Sequence, residues 1–144
     1  MRIKKIFYLA FFIFSYSISY GQDWPNLNRY KEENAKLEVL NSKDHSRVVF
    51  MGNSITEGWL NKRPDFFSAN QYINRGISGQ TTPQMLLRFR QDVIALKPLA
   101  VVILAGINDI AQNTGPYSLE ATSGNLFSMC ELAKQNGIKV IICS

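Results

Sequence analysis

Residues 48–59 read Val-Val-Phe-Met-Gly-Asn-Ser-Ile-Thr-Glu-Gly-Trp, and the rest of the chain is organised around this stretch. Its first four residues are an unbroken apolar run, which is typical of a strand buried on both faces of a parallel sheet. Gly52 permits a sharp turn, which leaves Ser54 at the carboxyl end of the strand. Because reacting groups gather at this edge of an open α/β sheet, Ser54 is a candidate nucleophile. Asn53 and Ser54 are also common helix caps, so a capping role is the alternative.

Two later segments place small or amide residues after an apolar run. The first is Asn74 to Gly79, and the second is Gly106-Ile107-Asn108-Asp109, which follows the apolar run Ala100 to Ala105. The order and spacing of these blocks resemble the SGNH, or GDSL-type, hydrolase family. The blocks of that family read Gly-Asp-Ser, an isolated Gly, and Gly-x-Asn-Asp.

The resemblance implies acyl transfer at the strand ends. Ser54 would be the nucleophile, and the oxyanion donors would be its backbone N–H, the backbone N–H of Gly76 and the side-chain amide of Asn108. Glycine allows close backbone approach, and a neutral amide donates without a countercharge. Alternatively, Gly76 is an ordinary turn glycine, and Asn108 and Asp109 bond their own backbone. Asn53 stands where the family's commonest motif has Asp; it can hold the turn but adds no negative charge.

Apolar strands alternate with amphipathic segments along the chain. We predict strands at 48–51, 72–73, 100–105 and 138–143, and a loop at 59–70. An amphipathic helix is expected within 23–47, with Leu27, Tyr30, Leu37 and Leu40 at helical spacing. A helix capped by Thr82 should bury Leu86, Phe89, Val93 and Leu96, and a later one should place Leu119, Leu126, Met129 and Leu132 inward and end at Gly137.

This alternation predicts an α/β fold, a three-layer α/β/α sandwich around a parallel sheet. The resemblance adds a flavodoxin-like strand order. Trp59 is expected either to line a substrate pocket or to pack in the core. Cys130 and Cys143 should be too far apart for a disulfide, because one lies in mid-helix and the other at the far end of the next strand.

The amino terminus has the composition of a secretory signal peptide. Three of the sixteen basic side chains, Arg2, Lys4 and Lys5, precede an apolar segment from Ile6 to Ser17, and small residues follow at 19 and 21. We predict a signal peptide at 1–21, cleaved before Gln22, and export to the periplasm or the medium. A membrane anchor is the alternative, but the apolar core is shorter than the roughly 20 residues that a spanning helix needs. Without those three residues the numbers of basic and acidic side chains are nearly equal, so nucleic acid is not an expected partner.

Neither a metal nor a cofactor is expected. The single His, His45, has no Cys or His cluster at ligand spacing around it, and no phosphate-binding glycine motif follows a strand. The resemblance implies a base from a late Asp-x-x-His motif, which the 144 residues lack. His45 precedes the first strand and would lie roughly 20 Å from Ser54. We therefore expect residues 22–144 to be an incomplete hydrolase domain, truncated after the fourth strand and almost inactive alone.

The family resemblance covers esterases, lysophospholipases, thioesterases and carbohydrate deacetylases. Export and short loops favour removal of acetyl or other short acyl groups from a polysaccharide or similar small ester. The alternative from another class is a non-catalytic carbohydrate-binding or interaction module that keeps the turns without the chemistry.

Overall fold

A computed structural model describes residues 22–40 and 46–143. The predicted signal peptide at 1–21, His45 and Ser144 lie outside the described residues.

The described residues form a four-stranded parallel sheet with the strand order β2-β1-β3-β4. The strands are β1 (Val48–Gly52), β2 (Tyr72–Gly76), β3 (Ala100–Leu104) and β4 (Lys139–Cys143). This order is the first part of the flavodoxin-like arrangement. The α/β class and the parallel sheet predicted from the sequence are confirmed.

Helices cover both faces of this sheet. They are α1 (Lys31–Leu40), α2 (Ser54–Lys62), α3 (Pro64–Ala69), α4 (Thr82–Asp92), the short α5 (Ile107–Ile110) and α6 (Leu119–Gln135). The chain moves in one direction from β1 to β2 and in the other direction from β2 to β3. Right-handed crossovers therefore place α2 and α3 on one face and α4 and α6 on the other. The contacts agree, since α4 packs on α6 and α1, whereas α2 packs on β1 and β2.

The main core lies between the sheet and the layer of α4 and α6. Val49, Met51 and Ile103 are completely buried on this face, because alternate strand residues point the same way. They belong to one cluster with Phe89 of α4 and Met129 of α6. Burial of such side chains contributes about 1.5–3 kcal/mol each and fixes the sheet against the helices.

The opposite face carries an aromatic cluster. Phe50 of β1 meets the rings of Trp59 and Phe67 edge-on at 5.4 and 5.5 Å, and Trp59 stacks on Phe66 at 4.9 Å. Trp59 is therefore a packing residue, although its side chain stays partly exposed. The prediction of a loop at 59–70 is wrong, because α2 and α3 occupy this segment and bring these rings onto the sheet.

The helix ends differ from the sequence prediction in two places. Thr81, not Thr82, is the N-cap of α4, and it shares a capping box with Gln84. Leu119 is 70% exposed at the start of α6, so its predicted inward position is wrong. The predicted end of α6 is confirmed, since Gly137 has a φ of +71° in the left-handed region.

Cys130 and Cys143 are both free thiols, as predicted. Burial raises the pKa of the Cys130 thiol. Within 22–40 and 46–143, no helix has the length and apolar character needed to cross a membrane. The same residues contain no group of three His, Cys, Asp or Glu side chains able to hold a metal ion.

Gly76→Ala should lower the free energy of unfolding by about 2–3 kcal/mol, because a Cβ at this position overpacks the start of α2. That Cβ would lie 2.2 Å from the backbone nitrogen of Glu57. Chemical denaturation measures the effect. The matched control is Gly124→Ala in the middle of α6, where a Cβ meets nothing within 4 Å. The control should be more stable by about 0.5–1 kcal/mol. Equal stability of the two variants would contradict the packing argument.

Candidate functional site

Ser54 is the first residue of α2, directly after the turn that ends β1. The buried side chain of Asn53 caps the helix, since its Oδ1 accepts a hydrogen bond from the Ile55 N–H at 3.0 Å. The Ser54 side chain is exposed and makes no hydrogen bond in the described part of the chain. Asn53 thus has the capping role, and Ser54 is left free beside the positive end of the α2 dipole.

Gly76 ends β2 at the same level as Gly52 of β1. Its close approach to Glu57 explains why glycine is needed here. The Gly76 N–H, which we predicted as an oxyanion donor, already donates to Asn74 Oδ1 at 2.9 Å in a buried position. The Gly76 carbonyl accepts a hydrogen bond from the Tyr30 hydroxyl. Both backbone groups of Gly76 are therefore engaged inside the protein.

Among the backbone N–H groups of residues 76–80, Gly79 alone lacks a described partner. The Ile77 N–H donates to Gly52 O at 3.0 Å and the Gln80 N–H to Ile77 O at 3.3 Å. The Ser78 N–H donates to Glu57 Oε2 at 2.9 Å. Gly79 is exposed and has a φ of +78°, a left-handed conformation that favours glycine. Its N–H is thus available to a ligand.

Asn108 lies in α5, after the turn at the end of β3. Its Nδ2 donates to Gln80 O at 2.9 Å, which ties this turn to the loop of Gly79. An amide nitrogen carries two hydrogens, so one donor of Asn108 remains. Asn113 strengthens the same connection through a hydrogen bond from Nδ2 to Gly79 O at 3.2 Å.

Asp109 is buried and holds the start of α4. Its carboxylate accepts hydrogen bonds from the Thr82 N–H at 3.0 Å and from the Thr82 hydroxyl at 2.5 Å. A carboxylate at a helix N-terminus is stabilised by the free N–H groups and the dipole there. The side chains of Asn108 and Asp109 therefore bond neighbouring elements rather than their own backbone. They fix the turn after β3 to the loop 77–80 and to the start of α4.

Arg88 lies beneath these turns and is completely buried. Its guanidinium donates to Arg75 O at 2.8 Å and Gln80 Oε1 at 2.6 Å, and it pairs with Asp92 at 2.8 Å. A fourth bond, 3.3 Å long, reaches Gly52 O just before the Ser54 turn. Burial lowers the pKa of Arg88, and the charge of Asp92 opposes this shift. No local sequence pattern marks Arg88 as part of the site, because its partners are distant in the sequence.

Glu57 connects α2 to the Gly79 loop on the solvent side. Its carboxylate accepts hydrogen bonds from the Ser78 hydroxyl at 2.6 Å and from the Ser78 N–H. The Ser78 hydroxyl is the main reason why the pKa of Glu57 is lowered, and Arg29 adds to the effect. The structure thus brings together the turn of Ser54, the loop of Gly79 and the amide of Asn108.

None of the described residues forms the hydrogen bond to the Ser54 hydroxyl that a general base would make. The Ser54 side chain has no hydrogen-bond partner in the described part, and the Asp109 carboxylate is occupied by Thr82 and Thr122. His45 lies outside the described residues, so its position remains a prediction.

Gly79 is the site feature that sequence reasoning missed. The signal was present, since a second glycine follows Gly76 by three residues in the same loop. Only the hydrogen bonds of the folded chain show which of the two N–H groups is free.

Comparison with known proteins gives a consistent family match. The model of the GDSL-like lipase/acylhydrolase family matches residues 50–144. A proposed acylhydrolase from Bacteroides fragilis has a similar structure, with a TM-score of 0.81 and 60% sequence identity. The alignment covers 85% of this chain and 58% of that protein.

Two curated relatives are more distant. An uncharacterized lipoprotein of Bacillus subtilis is 31% identical over 117 residues, with 69% of this chain and 48% of the relative covered. An acetylxylan esterase of Geobacillus stearothermophilus is 50% identical over 38 residues, which cover 26% of this chain and 17% of the esterase. The chain thus spans about half the length of the first relative and less of the second.

Glu57→Gln should make the free energy of unfolding less dependent on pH in the acid range. The pKa of Glu57 is lowered in the folded state, so ionisation of this carboxyl stabilises the fold. This stabilisation is fully present above the ordinary pKa of 4.5 and is lost as the pH falls through the lower pKa of the folded state. The variant should lose about 0.5–1 kcal/mol at pH 7, and the difference should shrink below pH ~4. Denaturation curves at several pH values measure it. Ser78→Ala should show part of the same loss, and a difference that is constant with pH would contradict the proposed link.

Proposed function

Because this chain belongs to the GDSL-like lipase/acylhydrolase family, we propose that it carries the nucleophile and oxyanion donors of an exported ester hydrolase. One observation carries the proposal. Ser54 follows β1, and its side chain is exposed and makes no hydrogen bond in the described residues. The neighbouring loop 77–80 has a Gly79 N–H without a described partner. A nucleophile and unused donors at one sheet edge are what acyl transfer requires.

The reaction would proceed through an acyl-enzyme on Ser54. The Ser54 Oγ attacks the ester carbonyl carbon while its proton passes to a base, and the carbonyl oxygen becomes negatively charged. The base then returns the proton to the departing alcohol. Water, activated by the same base, attacks the acyl-enzyme and releases the acid and free Ser54.

The donors proposed for the oxyanion are the Ser54 N–H, the Gly79 N–H and the second N–H of Asn108 Nδ2. Ser54 begins a helix, where the first N–H groups have no intrahelical partner. Gly79 replaces Gly76 in this role, because the Gly76 N–H is bonded to Asn74. Loss of one such donor typically lowers turnover about 10²–10³-fold.

The base is proposed to lie outside the described residues, since none of them bonds to the Ser54 side chain. A serine hydroxyl without a base is a weak nucleophile near neutral pH, so ester hydrolysis depends on that group.

Acetyl or other short acyl esters of carbohydrates are the proposed substrates. The name of the acetylxylan esterase relative supports this class. Lysophospholipid and thioester hydrolysis are the alternatives within the family. Export through cleavage of residues 1–21 remains part of the proposal and rests on the amino-terminal composition.

A fluorophosphonate probe should label the product of the complete reading frame at Ser54, because only an activated serine reacts readily with it. Ser54→Ala should reduce labelling and ester hydrolysis at least ~100-fold while the fold is kept. Ser68→Ala is the matched control, since Ser68 is an exposed serine of α3. Labelling that persists in Ser54→Ala would exclude Ser54 as nucleophile. A folded wild-type protein that is not labelled would favour a non-catalytic binding module.

The structure of the labelled protein should show which groups bind the oxyanion. The phosphonyl oxygen is expected about 2.7–3.1 Å from the Gly79 nitrogen and from Asn108 Nδ2. The Gly76 N–H should keep its bond to Asn74, because that pair is buried. Crystallography of the adduct measures these distances. A phosphonyl oxygen bound to the Gly76 nitrogen would return the role to Gly76.

A further inference from the structure

A cleft of about 520 Å³ lies beside Gly79. One wall is the loop 77–80 together with Asn113 and Thr114, and the other wall is the segment 22–26. The cleft therefore begins at a proposed oxyanion donor and extends away from it along the amino-terminal segment. Its size suits a group much larger than an acetyl.

Three glutamine side chains hold this amino-terminal segment in place. Gln80, Gln84 and Gln91 donate through Nε2 to the carbonyls of Pro25, Trp24 and Leu27, at 2.7, 2.7 and 2.6 Å. The three glutamines lie in or just before α4, so the wall of the cleft is fixed to a core helix. Fixed backbone positions reduce the entropy lost when a ligand is bound.

The segment also closes on itself. Asp23 accepts hydrogen bonds from the Leu27 N–H at 2.8 Å and from the Asn28 N–H at 3.0 Å. These bonds lower the pKa of the Asp23 carboxyl, the Leu27 N–H having the largest effect. The carboxylate oxygens are thus used by the segment's own loop and hold this wall of the cleft in shape.

Apart from the Asp23 carboxylate, the groups that the cleft offers to a ligand are one aromatic ring and neutral polar side chains. The Trp24 side chain is 42% exposed, and neither its indole N–H nor the amide of Asn26 makes a hydrogen bond in the described residues. Asn113 uses only Nδ2, so its Oδ1 can accept a hydrogen bond. A flat apolar face with neutral donors and acceptors around it matches a sugar ring, which has a C–H face and hydroxyl edges.

We infer that this cleft holds the sugar portion of an O-acylated oligosaccharide, with Trp24 stacked on one ring and Asn26 and Asn113 bonded to hydroxyl groups. The inference rests on the proposed function, because it assumes that the ester carbon lies at Ser54 next to the Gly79 loop. It adds the place of the sugar in the fold and the residues that recognise the alcohol side of the ester. A long acyl chain fits less well, because the amides at the wall would be desolvated without partners.

Binding without chemistry is the first test. The Ser54→Ala form of the complete protein is titrated with a partly O-acetylated cello-oligosaccharide, and NMR or calorimetry gives the dissociation constant. Adding Trp24→Ala should weaken binding about tenfold, and Trp24→Phe should restore most of it. Adding Leu27→Ala instead should leave binding unchanged, since Leu27 is an exposed apolar residue of the same segment outside the cleft.

Hydrolysis is the second test. The ratio of kcat/KM for the acetylated oligosaccharide to kcat/KM for nitrophenyl acetate should fall about tenfold in Trp24→Ala, mainly through KM, and stay constant in Leu27→Ala. Absence of oligosaccharide binding, or equal binding by the Trp24→Ala and Leu27→Ala proteins, would overturn the inference. Trp24-dependent binding without hydrolysis of either ester would support the cleft assignment and overturn the proposed function instead.

Discussion

The buried guanidinium of Arg88 is the constraint on which the rest of the site depends. It joins the carbonyls at the ends of β1 and β2 to the Gln80 side chain and to Asp92. A completely buried charge is tolerated only when its donors are bonded and a countercharge is close. Because these partners belong to four different elements, β1, β2, the Gly79 loop and α4 must be in their native positions together. The turn of Ser54 follows directly from one of the strand ends that Arg88 holds.

A second layer of buried polar groups extends this network toward the amino-terminal segment. Arg75 donates to Asn34 Oδ1 at 2.6 Å, and Asn34 donates to Asp92 at 2.6 Å. The Tyr30 ring lies 4.5 Å from the Arg75 guanidinium, and its hydroxyl bonds to Gly76 O. Segment 22–40 is thus connected to the strand ends by charge, hydrogen bonds and ring contact. This explains how a segment without a strand can form a wall of the cleft beside the sheet.

The sequence was sufficient for features that depend on local pattern. The apolar run at 48–51 and the glycine after it indicated β1 and the exposed position of Ser54, and Gly137 indicated the end of α6. Features that depend on contacts between residues far apart in the sequence could not be predicted. The free N–H of Gly79 is recognisable only because the N–H groups of Gly76, Ile77 and Ser78 are bonded elsewhere. Pro64 suggested a loop, but at the first position of α3 it begins a helix, and the aromatic packing on Phe50 stabilises this region.

The Asn53 cap has a consequence for acid tolerance. An aspartate in this position would lose its charge in acid and weaken its bond to the helix N-terminus. The amide of Asn53 does not titrate, so its bond to the Ile55 N–H is the same in acid and at neutrality. Acid therefore weakens the link between Glu57 and Ser78 but leaves the Asn53 bond unchanged. An enzyme built this way keeps the turn of its nucleophile capped even where a carboxylate cap would be protonated.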